Sequence, residues 1–230
     1  MKLVASSQQN SAERIEARAA QMYARINELW CEHREDIFGG ACGFSILSGP
    51  PAHRPPLLVI GANPGFGAND HGPDVEICWP TTSYIGSATW PLAGKLRYIF
   101  ERAGKGGLLD HALQTNFLFF KSSSLKKESR YRWFNLPGHL RSKLEGICAA
   151  ELFELISMIE PRLILVLGLD PFDTYATGVD TVLRDRNGKR RLLVKGYIAG
   201  LPAVATLHPT GAQVANEDWM RVSDWLRQNV

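Results

Sequence analysis

The chain has 230 residues, 45% of them hydrophobic and 21% charged, which is typical of a globular protein and excludes a disordered or fibrous one. Its formal net charge of +3 is compatible with a nucleic-acid partner but does not require one. No apolar run reaches about 18 residues, so we expect no membrane-spanning helix, and the short apolar start predicts no secretory signal and hence a cytoplasmic protein.

The N-terminal part of the chain predicts one helix and one buried strand. Apolar residues recur every three or four positions over residues 11–32, as in an amphipathic helix, and Gly and Pro then indicate an irregular connection over residues 39–56. The continuous apolar run 57–60 is typical of a strand covered on both faces. A Gly- and Pro-rich loop follows over residues 64–87, and because loops longer than about 15 residues are uncommon, its length favours a binding role.

Helical and strand patterns alternate through the rest of the chain. They predict helices over residues 91–103, 140–159 and 217–228, strands over 113–120, 163–167 and 203–207, and a hairpin over 181–194. This order predicts an α/β fold, a three-layer α/β/α sandwich around a mostly parallel sheet of about four strands. We expect a single domain over residues 1–230, in which residues 1–56 form an N-terminal helical and irregular extension.

Two polar residues, Asn63 and His208, each lie between an apolar run and a proline, in LLVIGANPG and LPAVATLHPT. A residue before proline is pushed into an extended conformation, so each run is expected to end as a strand that presents this side chain at the sheet edge. Ligands bind at that edge in open α/β sheets. The pattern therefore predicts an amide and an imidazole over one pocket; ordinary Asn-Pro and His-Pro turns are the alternative.

Basic residues are concentrated in two stretches. One contains Lys121, Lys126, Lys127, Arg130 and Arg132 with Tyr131 and Trp133 between them, and the other surrounds the turn signal Asn187-Gly188 with Arg184, Arg186, Lys189, Arg190 and Arg191. Both stretches are hypothetical phosphate-binding segments. The alternative is that both are solvated loops, which is common for runs of charge.

The four cysteines, Cys31, Cys42, Cys78 and Cys148, are scattered and form no C-x-x-C pair. We interpret them as reduced thiols, most of them small core residues, rather than as metal ligands.

The two proline junctions resemble the signature segments of the uracil-DNA glycosylase superfamily, in which one strand ends in G-x-N-P-G or a related loop and a later strand ends in H-P-S. The matching residues here are Gly61-Ala62-Asn63-Pro64-Gly65 and His208-Pro209-Thr210-Gly211. The resemblance extends over residues 57–229, because a helix, an Asn-bearing strand and a strand ending in Gly lie between the two segments in the same order.

This resemblance implies hydrolysis of the N-glycosidic bond of a flipped uracil or other damaged base in DNA, with no metal or cofactor. Asn63 is then expected to orient the attacking water, and His208 to hydrogen-bond the base oxygen. These roles suit the chemistry, because bond cleavage passes through an oxocarbenium-like sugar while negative charge grows on the departing base.

The remaining residues of the expected site contact the base or the DNA. Asn116 is expected to recognise the base, because an amide both donates and accepts hydrogen bonds; capping its own backbone is the alternative. The base-binding set is completed by Gly61, Ala62, Pro64, Gly65 and the aromatic Phe66, with Trp79 or Tyr84 as alternatives to Phe66. DNA contacts are expected from Lys126, Lys127, Arg130, Thr210, Gly211 and Gln213, and from the hairpin residues Arg184, Arg190 and Arg191.

The chain departs from the family pattern at three points. Thr210 replaces the usual Ser, and Asn63 replaces the acidic residue of the most active relatives. Gly211-Ala212-Gln213 offers no bulky apolar residue to fill the vacated base stack, so Gln213 or another loop takes that role. Two other functions therefore stay open: a non-catalytic nucleic-acid or nucleotide-binding module on the same fold, and a hydrolase or transferase of free nucleosides or nucleotides.

Overall fold

Six strands form one sheet in the computed structural model, which describes residues 2–66, 75–80, 90–123 and 131–230. They are β1 Leu58–Gly61, β2 Leu113–Asn116, β3 Ile164–Leu167, β4 Thr177–Arg184, β5 Arg191–Ile198 and β6 Leu201–Thr206. Their order across the sheet is β2-β1-β3-β6-β5-β4. The expected α/β class and mostly parallel sheet are confirmed.

The number of strands is six, so the expectation of about four was wrong. Strands β2, β1, β3 and β6 form a parallel core, in which Leu58 is paired with both Leu113 and Ile164. The predicted hairpin is longer than residues 181–194 and extends this core, because β5 pairs antiparallel with β6. Ala199 and Gly200 join these two strands, and both have positive φ, as two-residue turns between antiparallel strands require.

Six α-helices are found among the described residues. They are α1 Lys2–Glu32, α2 Pro91–Arg102, α3 Gly107–Asp110, α4 Gly138–Ile159, α5 Leu169–Tyr175 and α6 Asn216–Asn229, with 3₁₀ turns at Phe38–Gly40 and Trp133–Asn135. Helix α1 begins well before residue 11, where the apolar periodicity starts. None of the described helices is both long and apolar enough to cross a membrane.

Both faces of the parallel core are covered by helices. Ile60 belongs to a buried cluster that includes Ile26 of α1 and residues of α4, while its neighbour Val59 belongs to a second cluster with Trp219 of α6 and residues of α2. Successive side chains of a strand point to opposite faces, so an uninterrupted apolar strand is stable only between two helical layers. Strands β1 and β3 contain only apolar residues and glycine, whereas β2 also contains Gln114 and Thr115.

The N-terminal segment of the chain is built into the same core. The Trp30 indole donates to the carbonyl oxygen of Cys42 at 3.0 Å, and the backbone N–H of Leu47 donates to the Tyr23 hydroxyl at 3.1 Å. Thr115 of β2 is fully buried and donates its hydroxyl to the Ile46 carbonyl at 2.8 Å. The segment 15–47 therefore covers one edge of the sheet as well as one face.

A buried carboxylate connects α1 to α4. Glu151 of α4 is 2% exposed and contacts the guanidinium groups of Arg18 and Arg25, both on α1. Arg18 also pairs with the exposed Glu154 at 2.7 Å. Two cations around one buried carboxylate satisfy its charge, and removal of one partner from such a site costs far more than loss of a surface ion pair.

We expect Arg18→Met to lower the free energy of unfolding by about 3 kcal/mol. In the variant Glu151 stays buried but loses one of its two cationic partners in this network, so its charge is only partly compensated. Urea denaturation of the variant measures the loss. Glu154→Gln is the matched control, since it removes the exposed acid of the same network, and its effect should be much smaller. Equal effects of the two substitutions would show that the Arg18–Glu151 pair does not hold α1 in place.

Candidate functional site

Four parallel strands end at one edge of the sheet, and the candidate residues follow from these ends. Gly61 ends β1 and is paired with Asn116, which ends β2. Asn63 lies two residues beyond β1, and His208 two residues beyond β6. One strand, β3, separates β1 from β6, so the two strand ends are roughly 10 Å apart, given about 4.8 Å between neighbouring strands. The structure thus places Asn63, Asn116 and His208 at the same carboxyl edge.

The Asn63 side chain has a defined orientation. Its amide nitrogen donates to the carbonyl oxygen of Pro64 at 2.8 Å and to the hydroxyl of Ser122 at 2.9 Å, with the Ser122 carbonyl oxygen at 3.3 Å. Carbonyl oxygens accept hydrogen bonds only, so the nitrogen must face them and the amide oxygen must face away. Asn63 therefore offers an acceptor, Oδ1, on its other side.

Ser122 is a site residue that the sequence patterns missed. It is 1% exposed and contacts the Asn63 loop through three groups: its hydroxyl accepts from Asn63, its backbone N–H donates to Pro64 at 3.2 Å, and its carbonyl accepts from Phe66 at 3.0 Å. These bonds join the loop after β1 to the segment after β2. A serine beyond a predicted strand end carries no pattern that distinguishes this role from an ordinary loop serine.

Gly61 makes room for Asn116. A Cβ atom at Gly61 would lie 2.4 Å from Asn116 Oδ1, closer than such atoms approach in proteins. The half-buried Asn116 amide thus lies directly over Gly61 at the end of β1. Glycine is needed here for close approach of a neighbouring side chain rather than for backbone conformation.

The His208 ring is held by the turn that follows it. The backbone N–H of Gly211 donates to Nδ1 at 3.2 Å, and the Thr210 hydroxyl lies 3.3 Å from the same nitrogen. A Cβ atom at Gly211 would lie 3.3 Å from Nδ1, so a larger residue would crowd the ring. Because Nδ1 accepts a hydrogen bond, the proton of the neutral ring is on Nε2, which is then a donor.

Burial lowers the pKa of His208 from its ordinary value of 6.5. The cause is desolvation, which disfavours the charged imidazolium. The ring is therefore neutral at pH 7, with Nε2–H as its donor.

The aromatic candidates have different environments. Phe66 is half-buried and makes an edge-to-face contact with Tyr131, with ring centroids 5.3 Å apart. Trp79 packs in the same manner against Tyr23 of α1 at 5.9 Å, on the layer formed by the N-terminal helix. Phe66 is thus the candidate nearer to the site residues, since its own N–H is bonded to Ser122. Tyr84 lies outside the described residues.

The other predicted base-binding residues surround Asn63 along the chain. Ala62 and Pro64 are half-buried and Gly65 is exposed. Gly65 forms an isolated parallel bridge with Ser122, which extends the contact between the two loops.

The predicted DNA-contacting residues are only partly described. Lys126, Lys127 and Arg130 lie outside the described residues. Thr210, Gly211 and Gln213 follow His208 and are exposed. Gln213 is fixed through its backbone, because its carbonyl oxygen accepts a hydrogen bond from Arg190 at 2.8 Å. Arg191 forms a two-pronged pair with Asp173, so Arg190 and Arg191 both make contacts within the protein.

The cysteines are free thiols in separate environments. Cys42 and Cys148 are buried, Cys31 and Cys78 are exposed, and burial raises the pKa of Cys148 to about 12. Among the described residues no group of three or more His, Cys, Asp or Glu side chains is arranged to hold a metal ion.

Comparison of the chain with models of known protein families gives no match, and comparison with curated proteins gives none either. A functional assignment therefore depends on the chemistry of the carboxyl edge.

The environment of Asn63 predicts the effect of a change to aspartate. Asn63→Asp would place a carboxylate oxygen against the Pro64 and Ser122 carbonyl oxygens, so we expect the folded protein to hold this carboxyl at a raised pKa. The variant should lose about 1–3 kcal/mol of unfolding free energy relative to the parent. This loss should grow as the pH rises from about 4, because the unfolded chain ionises first. Urea denaturation at several pH values tests it, with Asn187→Asp in the exposed hairpin turn as control; a pH-independent loss would contradict it.

The His208 ring should titrate below pH 6.5 and should carry its proton on Nε2 in the neutral form. Since the unfolded chain binds the proton first, stability that depends on His208 should decrease as the pH falls through 6.5. Nitrogen-15 NMR of the imidazole reports both the titration midpoint and the tautomer, and the exposed His53 is the internal control. A midpoint above 6.5, or a proton on Nδ1, would disprove the proposed orientation.

Proposed function

We propose that this protein is a DNA glycosylase-like enzyme that hydrolyses the N-glycosidic bond of a flipped uracil or other damaged base. The observation that supports this function best is that an oriented amide acceptor, Asn63 Oδ1, and a neutral imidazole donor, His208 Nε2–H, lie at the same edge of the sheet. The motif resemblance of the two loops supports the same function.

His208 supplies stabilisation of the leaving base. As the glycosidic bond breaks, the bonding electrons move to the base, and negative charge develops on its exocyclic carbonyl oxygen. A donor that is already fixed in place stabilises this charge without reorganisation. The Gly211 N–H holds the ring in the orientation that leaves Nε2–H available, so the donor is set before a substrate binds.

Asn63 positions the attacking water. Its Oδ1 accepts a hydrogen bond from a water molecule and directs it to the anomeric carbon of the sugar. An amide is a weak base, but positioning is sufficient where the sugar cation forms before the water attacks, because a cation reacts with neutral water. The water then loses its proton to solvent after the new C–O bond has formed. Ser122 maintains this function, since it fixes the amide nitrogen on the opposite side.

Asn116 supplies recognition of the base. A side-chain amide presents a donor and an acceptor together, which is complementary to adjacent carbonyl and N–H groups on a pyrimidine edge. Asn116 lies over the end of β1 beside the Asn63 loop, where a base must lie if its sugar is to reach Asn63. A flipped base rather than a paired one is proposed, because the carbonyl and N–H groups that Asn116 would bind are already engaged in an intact base pair.

We expect Asn63→Ala and His208→Ala each to reduce single-turnover cleavage of a uracil-containing oligonucleotide by about 10²-fold or more, since each removes one oriented group. Asn229→Ala and His53→Ala remove the same side-chain types far from the edge and should leave the rate unchanged. Melting temperatures establish that the variants are folded.

Two other results would each replace the proposal with a different function. Absence of cleavage on any modified base, together with DNA binding by the parent protein, would favour a non-catalytic binding module. Cleavage of free nucleosides or nucleotides in preference to oligonucleotides would favour a nucleoside hydrolase. Unchanged rates in both alanine variants would remove Asn63 and His208 from the mechanism.

A further inference from the structure

The tip of the β4–β5 hairpin, residues 184–190, lies beside His208. Leu193 is paired with Thr206, and the Leu207 N–H donates to the Leu192 carbonyl at 3.3 Å. Continuation of this antiparallel register sets Arg191 opposite His208. The hairpin tip precedes Arg191, so it extends beyond the carboxyl edge next to the candidate site.

The backbone of the hairpin tip is fixed in this position by three contacts. Arg190 donates to the Gln213 carbonyl in the loop after His208. The Arg186 N–H donates to the buried Asp218 of α6 at 3.1 Å, and Arg221 of α6 donates to the Arg184 carbonyl at 2.8 Å. The tip is therefore preorganised relative to His208, and a ligand that binds it loses little affinity to ordering of the loop.

Within the tip, the Asp185 carboxylate closes the turn and does not neutralise Arg184, Arg186 or Lys189. Its carboxylate accepts from the backbone N–H groups of Lys189 at 2.7 Å and Arg190 at 3.1 Å, and the Arg190 N–H is the main cause that lowers the pKa of Asp185. The acid is thus ionised and turned toward the backbone of its own turn.

Four basic residues of the tip are exposed. Arg190 already contacts Asp185 and the Gln213 carbonyl, which leaves the side chains of Arg184, Arg186 and Lys189. Arg186 has only a 3.9 Å contact with Glu217, and both side chains are more than half exposed, so solvent screens the pair. Arg184 and Lys189 form no ion pair with any residue in the described part of the chain. Arg184 is also directly opposite Arg191, and like charges at such a position destabilise a hairpin. Asp173 neutralises Arg191 and leaves Arg184 as an uncompensated charge.

We propose that the hairpin tip binds the phosphate backbone of the DNA strand that carries the target nucleotide, through Arg184, Arg186 and Lys189. This inference rests on the proposed DNA partner and adds the surface that holds it. The geometry assigns different roles to the basic residues of the hairpin: Arg190 and Arg191 position the tip, and the other three contact phosphates. Phosphates are the complementary ligand, since three exposed cations on a fixed backbone match a repeating anion.

The test compares two triple variants of equal charge. Arg184, Arg186 and Lys189 are replaced by Gln in one, and the exposed Arg54, Arg102 and Arg162, which lie toward the opposite edge of the sheet, are replaced by Gln in the other. Binding to a short single-stranded DNA of undamaged mixed sequence is measured by fluorescence anisotropy between about 50 and 200 mM salt. Each phosphate contact contributes about 0.7 to the slope of log affinity against log salt on single strands, so the tip variant should lose about 2 from this slope.

We expect the control variant to retain the slope of the parent protein. An unchanged slope in the tip variant, an equal decrease in both variants, or absence of DNA binding by the parent protein would each overturn the proposal. Melting temperatures of both variants exclude misfolding as the cause of a decrease.

A uracil-cleavage assay on the same proteins separates this inference from the proposed function. Loss of slope in a protein that cleaves no modified base would support the DNA-binding tip and refute the glycosylase function. Cleavage by the parent protein with an unchanged slope in the tip variant would support the glycosylase function and refute the tip.

Discussion

Parallel pairing of β2, β1, β3 and β6 is the constraint on which the rest of the structure depends. Parallel strands of this kind are apolar on both sides, so they require helices α1 and α4 on one face and α2 and α6 on the other. Strands β1 and β3 contain only apolar residues and glycine, and the polar candidate residues lie at or beyond strand ends. The four carboxyl ends therefore meet at one edge, and Asn63, Asn116 and His208 come together there although they are distant in sequence.

Neutral groups define the chemistry of this edge. Two carbonyl oxygens set the direction of the Asn63 amide, and one backbone N–H sets the tautomer of His208. Backbone groups do not titrate, so the acceptor and the donor keep their roles over a wide pH range. A charged residue in either position would meet the wrong partners: a carboxylate at residue 63 would face carbonyl oxygens, and a protonated His208 would face an N–H donor.

Much of the fold was predictable from sequence because it depends on local patterns. Apolar runs predicted β1, β3 and β6, and the prolines after Asn63 and His208 predicted where polar side chains leave the strands. Residue pairs between distant segments were not predictable. Ser122 contacts Asn63 from a loop that has no periodic pattern. The position of the hairpin in the sheet depends on the Ala199-Gly200 turn, in which a non-glycine residue, Ala199, has positive φ. β2 ends at Asn116 rather than at residue 120, since its carboxyl end turns to bond the loop after β1.

The turn after His208 limits the contacts that this loop could make with a nucleic acid. Gly211 has to be small because the His208 ring lies against it, and Gln213 is held through its carbonyl by Arg190. A bulky residue that enters a base stack cannot be placed at residue 211 without moving the imidazole. Contacts with DNA on this side are therefore expected from a neighbouring element, and the hairpin is the element that the β5–β6 register brings alongside. The Arg190 contact then connects the two loops, so the hairpin tip proposed to bind DNA and the imidazole are held in one arrangement.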